Sequence, residues 1–271
     1  MLKKMGVGLC LATLAGCVTL QPYQPAQGLG MGHAFAKGPY PVELDHMHGF
    51  LDAGHTILYM QNQGGGGVAV GLLLGPLGVA ANVAAIKKQT AHDVTALQGK
   101  LPVDANRLFA DAASGIQGLS FDGGAGAPVV SPMLLVEKVD ETHVRFAALL
   151  HVQGKQGSKA WSRKYVYEAP DVYTTEQLAK GLEPSQVERL SADVREGFAW
   201  TATTFATDVA GTFHPMQKKV LRSSFVTPRT EIPLNGYGFD AGAGRIGFAT
   251  GQPQWSTVYS LPVEDATLAS R

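Results

Sequence analysis

The sequence predicts an α+β protein: a glycine-rich helical segment, then an antiparallel sheet packed by a long helix in the C-terminal half, then short β-hairpins. Three observations predict this. Residues 133–168 hold three runs of strand-forming residues separated by polar turns. Residues 184–213 carry apolar side chains at spacings of three, four and seven. Residues 219–263 break into short β-like runs punctuated by Gly and Pro. The boundaries that follow are a leader at 1–16, a tether at 17–43, a glycine-rich apolar helical region at 44–103 and an α+β domain at 104–271.

The elements are argued in chain order. Residues 18–43 contain Pro22, Pro25, Pro39 and Pro41 with repeated Gly, a composition that resists helix and need not pack. Ala91–Gln98 and Asp104–Gln117 read as helices, the second with Asp104 as N-cap and Leu108, Ala112 and Ile116 four apart. Met133–Val139 is a buried apolar strand. His143–Val152 alternates through Val144, Phe146, Ala148 and Leu150, and Ala160–Glu168 places Trp161, Tyr165 and Tyr167 on one parity. The polar turn at 154–158 makes the last two an antiparallel pair. Pro184–Phe213 is the long helix, its stripe of Val187, Leu190, Val194, Phe198, Phe205 and Val209 facing the sheet. Lys219–Thr227, Ile232–Phe239, Arg245–Thr250 and Thr257–Val263 close the chain as strands.

Composition narrows the function. The chain has 22 Lys+Arg and 22 Asp+Glu among 271 residues, so no broad basic field exists to hold nucleic acid. Charged residues are 16% against an average of about 25%, and Gly is 33 of 271 residues, about 12% against an average of about 7%. Two cysteines exclude a disulfide scaffold.

The amino terminus carries the most specific motif. Lys3 and Lys4 precede an uncharged, mostly apolar run from Met5 to Ala15, too short to span a bilayer. The run Leu14-Ala15-Gly16-Cys17 resembles the lipobox of bacterial lipoproteins. The resemblance implies a diacylglycerol on Cys17, cleavage before it and acylation of the new amino terminus. One acyl chain holds a membrane only marginally; three make a lasting anchor. Cleavage also removes Cys10, so no internal disulfide is expected. Val18 rather than Asp after the cysteine matches the sorting rule for the outer membrane, on its periplasmic face. The order of elements over residues 104–213 is loosely similar to the small α/β domains of periplasmic assembly lipoproteins, such as the curli secretion channel lipoprotein and the penicillin-binding-protein activators, a likeness of fold alone.

The second unusual segment lies between Asp52 and Lys87, where no charged residue occurs. Gly67, Gly71 and Gly75 are four apart, a glycine-zipper pattern that lets two helices approach closely. Val68–Ile86 would be about 28 Å long as a helix, close to a hydrocarbon core. Three roles compete: a buried helical hairpin with Pro76 opening its second helix, a self-association face, and a membrane-inserting segment.

Chemical motifs are sparse. Gly66 to Gly71 has phosphate-loop spacing, but Leu72 stands where Lys is required, and Phe35 replaces the last glycine of a dinucleotide fingerprint begun by Gly30 and Gly32. No nucleophile elbow or zincin helix occurs. His46 and His48 share a strand face and are the weak metal candidates, with Asp45 or Asp52 as added carboxylates and His55 nearby. Asp140 and Glu141 read as turn residues. The aromatic set Trp161, Tyr165, Tyr167 and Tyr173 reads as packing under the long helix, Trp200 as core, and Trp255 and Tyr259 as an exposed pair in the last hairpin. The expectation is therefore a lipid-anchored, non-enzymatic periplasmic protein, an accessory or structural component of a cell-envelope assembly or export system, without cofactor or metal. It meets the membrane through its lipid and works by contact with a second copy or an envelope partner. The alternatives are an envelope hydrolase or ligand-binding lipoprotein, and a membrane-inserting oligomeric pore subunit.

Overall fold

The computed structural model describes residues 22–24, 26, 35–38, 47–61, 75–116, 119–124, 127–156, 158–227, 232–250 and 255–270. Its class is α+β: among the described residues, four helices accompany one eleven-stranded, mostly antiparallel sheet.

Three strands come before the first described helix: β1 (Ala36–Lys37), β2 (His48–Phe50) and β3 (Ile57–Gln61). They fall in the segments expected to be tether and glycine-rich helix. At two to five residues they are too short for alternation to show. Tertiary pairing makes them: β1 and β3 both join β4 (Val129–Lys138) in parallel, with Ala36 opposite Val129 and Ile57 opposite Leu134.

Helix α1 spans Gly75–Leu97, with Pro76 in its first turn, where a missing N–H costs nothing. It continues unbroken through the helix expected at 91–98. Helix α2 spans Ala105–Ala113, and the Asp104 carboxylate accepts the Arg107 amide at 2.9 Å as expected of an N-cap.

Strands β4, β5 (His143–Gln156) and β6 (Lys159–Thr174) form an antiparallel meander, each longer than the apolar run that marks it. A bulge interrupts β5 and β6 between Arg145 and Ala147, and Pro170, which cannot donate to the ladder, lies in the unpaired part of β6. Nine of the ten β4 residues are buried because both sheet faces are covered.

Helix α3 (Thr175–Lys180) opens with a capping box between Thr174 and Gln177. Helix α4 (Pro184–Val209) then crosses one face, burying Leu190, Val194, Phe198, Phe205 and Val209 against Tyr165, Tyr167, Phe146 and Ala148. It lies close because Gly197 lacks a side chain: a Cβ there would stand 2.7 Å from Ala148 Cβ and 2.8 Å from a Tyr167 ring carbon.

The remaining strands are β7 (Gln217–Ser223), β8 (Leu234–Asp240), β9 (Arg245–Ala249), β10 (Trp255–Pro262) and β11 (Ala266–Ser270). The sheet order is β11-β7-β8-β9-β10-β6-β5-β4-β3-β2. In a flat sheet β10 and β11 would stand about 19 Å apart, four spacings of about 4.8 Å. Only residues 263–265 join them, in a tight turn where the Asp265 amide donates to the Pro262 carbonyl at 3.2 Å. The five C-terminal strands must therefore curl back on themselves. Curled, they place Leu221, Phe225, Phe248 and Leu261 against Leu58, Met133, Leu135, Ala147, Leu149 and Val166 on the face opposite α4.

Candidate binding cleft

The curled strands do not fill that second face completely. A cleft of about 140 Å³ remains between β3–β6 and the C-terminal strands. Leu58, Leu135, Leu149, Val166 and Phe225 line its buried part, and His48, Met60, Lys164, Val226, Thr257 and Tyr259 its half-exposed mouth. Strand geometry places these residues together: Met60 stands opposite Glu137, Leu58 opposite Leu135, and Val258 and Tyr259 run parallel beside Tyr165 and Val166.

One carboxyl reaches this apolar space. Glu137 is 1% exposed, and its Oε1 has no hydrogen-bond partner among the described residues. Its cross-strand neighbour on β5 is Arg145. That guanidinium is already engaged: Nη1 donates to Glu168 Oε1 at 2.6 Å, and Asp265 from the β10–β11 turn closes on it as well. Burial, and then the neighbouring Glu168 charge, push the Glu137 carboxyl well above the usual range against the pull of Arg145. Burial likewise pushes Glu168 up to about 7, and Tyr259 at the mouth to about 12. A buried, unpartnered carboxyl opening on an apolar cleft makes this a candidate binding site. A larger hollow of about 380 Å³ beside Asp171 and Tyr173 is rimmed by exposed Gln177, Ser185 and Arg189.

The residues singled out in the sequence are distributed as follows. Cys17, His46, Gly67 and Gly71 lie outside the described residues, and Gly75 is the first residue of α1. His48 lies on β2 at the cleft mouth. No group of three or more His, Cys, Asp or Glu fit to hold a metal occurs among the described residues. His55 has φ 53° and stacks on Phe50 with ring centroids 4.3 Å apart. The Asp52 carboxylate accepts the Thr56 and Ile57 amides at 2.9 and 2.7 Å, shaping the β2–β3 turn. Asp140 does the same before β5, accepting from Thr142 and His143 amides at 2.7 and 2.8 Å, and Glu141 beside it is exposed. Tyr165 and Tyr167 donate to Asp208 and Glu196 of α4, both at 2.6 Å, so they pack under the helix, and Trp200 lies 6.0 Å from the Tyr167 ring. The Trp255 side chain lies outside the described residues; Tyr259 is half-buried in the cleft. Sequence reasoning missed Glu137, Arg145 and Glu168. The one available signal was a glutamate directly following the apolar run Met133–Val136.

Helix α1 packs on the sheet through its C-terminal half. Its described buried side chains are Ile86, Thr90 and Leu97, with Val94 half-buried, a stripe at spacings of four, four and three. Val94 fits against β2 because position 49 is glycine: a Cβ there would lie 2.4 Å from Val94 Cγ2. Asp93 accepts from Tyr59 Oη at 2.7 Å, Lys138 Nζ at 2.9 Å and Gln89 Nε2 at 2.8 Å. Towards the helix start, Val83, Ala84 and Ala85 are exposed. No helix among the described residues is long and apolar enough to cross a membrane.

The fold and cleft together define an α+β protein with a curled C-terminal sheet and an apolar cleft that holds a buried carboxyl. No protein family, curated protein or solved structure matches the chain.

Proposed function

We propose that this chain is a lipid-anchored protein of the periplasmic face of the outer membrane that works by binding partners rather than by covalent chemistry. The observation that carries the reading is α1, pinned to the sheet from Ile86 to Leu97 and exposing Val83, Ala84 and Ala85 beyond. The eleven residues from Gly75 to Ala85 carry no charge and extend roughly 16 Å. An uncharged stretch of helix with Val83, Ala84 and Ala85 exposed supports contact with a second copy or an envelope protein. The Leu14–Cys17 motif supports the anchor, as its resemblance to the lipobox implies.

Two measurements on native membranes test this reading. Mass spectrometry should find a mature amino terminus at Cys17 carrying fatty acid, and a free residue 17 would remove the anchor. A photo-crosslinking residue in place of Ala84 should give a discrete adduct, while the same residue at exposed Glu188 gives none. Monomer alone at both positions would overturn the contact role. A second reading, a ligand-binding lipoprotein, is favoured by the Glu137 cleft.

A further inference from the structure

We infer that the cleft beneath the C-terminal strands binds a lysine-like alkylammonium, an unbranched aliphatic chain ending in a primary ammonium that pairs with Glu137. The inference deepens the ligand-binding reading and stands whether or not Cys17 is acylated.

The first ground is an unmet hydrogen bond. Glu137 Oε1 is buried and unpartnered among the described residues, in a cleft whose buried walls are aliphatic and aromatic. Leaving such a group unsatisfied is costly, the more so when it is charged, and a ligand donor directed at it recovers that cost. The second ground is charge. Arg145 already meets two carboxylates, Glu168 and Asp265, so Glu137 is a third acid beside one guanidinium. Burial and the Glu168 charge favour the protonated Glu137 carboxyl before a ligand enters, so an entering ammonium, the smallest cation that donates hydrogen bonds, pairs with the carboxylate as that proton leaves to solvent.

The third ground is size. An apolar cavity of about 150 Å³ holds a benzene-sized guest of six non-hydrogen atoms. A cleft of about 140 Å³ matches five carbons and one nitrogen. Its walls between the two ends are Leu135, Leu149 and Val166, which suit methylenes. Lys164 lines the same cleft from its other end. It stands opposite His151 while Glu137 stands opposite Arg145, six residues apart on β5, or about 20 Å along the strand.

Two sources supply this chemistry: a free aliphatic amine, and a lysine side chain presented by a peptide. Calorimetric titration of the purified full chain at pH 7.5 with pentylammonium, and separately with Nα-acetyl-lysine N-methylamide, tells them apart. Binding of either supports the inference and names its source. Pentanol and pentanoate, of equal chain length, should bind at least tenfold more weakly than the ammonium. Glu137→Gln, close to the same shape, should lose at least tenfold in ammonium affinity while its pentanol affinity stays unchanged. Equal binding of all three pentyl probes, no binding of either amine, or full ammonium affinity in Glu137→Gln would each overturn it. The comparison of probes on the unaltered protein stands even where the variant does not fold.

Discussion

Tyr23 donates its phenolic hydrogen to Asp208 at 2.9 Å, joining residues 185 apart in the chain. The Tyr165 hydroxyl donates to the same Oδ2 at 2.6 Å, and the Ala26 amide to Oδ1 at 3.3 Å. Arg163 stands 4.0 Å from the carboxylate and donates to the Gln24 carbonyl at 3.0 Å. The ring of Tyr23 also meets Phe213 edge-on at 5.4 Å. Part of the segment expected as a free tether is thus strapped to the end of α4. Tyr23 follows Cys17 by six positions, at most about 22 Å of extended chain.

Asp208 is therefore the residue whose loss should loosen the strap most. It is fully buried, and Asp208→Ala leaves Tyr23, Tyr165 and the Ala26 amide without this acceptor and removes the carboxylate 4.0 Å from Arg163. We expect a loss of about 3–5 kcal/mol. Tyr23→Phe keeps the ring contact and removes one hydrogen bond, for about 1 kcal/mol. Urea unfolding measures both, and limited proteolysis near residues 22–35 should accelerate in the milder variant before global stability changes much.

At Gly197 two effects of opposite sign compete. Replacing a helical glycine by alanine gains up to about 1 kcal/mol of helix propensity. Here the new methyl would stand 2.7 Å from Ala148 Cβ, an atom fixed to the sheet backbone. Overpacking of that kind costs about 1–3 kcal/mol. Gly197→Ala should thus destabilise by about 1–2 kcal/mol, and a raised melting temperature would contradict the close approach of α4.

The buried acids give a pH signature. Burial raises Glu168 from 4.5 to about 7 and Glu137 well above 4.5, so the folded protein holds protons that the unfolded chain releases. Their stabilising contribution is complete below about pH 4.5 and declines as pH rises, through about 7 for Glu168. Glu137→Gln removes one of the two. Its stability relative to the parent should increase steadily between pH 4.5 and 8 in urea titrations; a difference independent of pH would refute the account.

His151 behaves in the opposite sense. Burial, and then the Lys164 charge, push its imidazole down to about 4 from 6.5. Its contribution is complete above about pH 6.5 and is lost as pH falls towards 4. An NMR titration of the His151 ring should show no protonation above about pH 5 in the folded protein.

Asp93→Ala should release α1. The substitution leaves Lys138, 6% exposed at its side chain, without its carboxylate partner, and removes the nearer of the acceptors of Tyr59, which also donates to Gln61. We expect a loss of about 3 kcal/mol, in the range for one partner of a buried pair. Hydrogen exchange in residues 86–97 should speed up more than in α4.

Much of the architecture was legible from local pattern. The alternation in β5 and β6, the continuous apolar run of β4, the stripe of α4 and the Asp104 cap are properties of ten to thirty neighbouring residues. Strands β1 to β3 were not legible, because each is shorter than the window that reveals a period of two. Nor was β11, five residues whose pairing with β7 depends on the curl of the whole C-terminal sheet.

By itself the sequence determined the α+β class, the main meander and the helix that packs on it, because periodicity and capping act through neighbours in the chain. The tertiary structure alone decided the cleft. Glu137 reads in sequence as an ordinary charge ending an apolar run, and only the parallel pairing of β10 with β6 and the fold-over of β7 to β11 enclose it. Its electrostatic neighbours come from β5, β6 and the β10–β11 turn, with Asp265 standing 120 residues beyond Arg145. Burial and charge pairing depend on distance in space, which no local periodicity encodes.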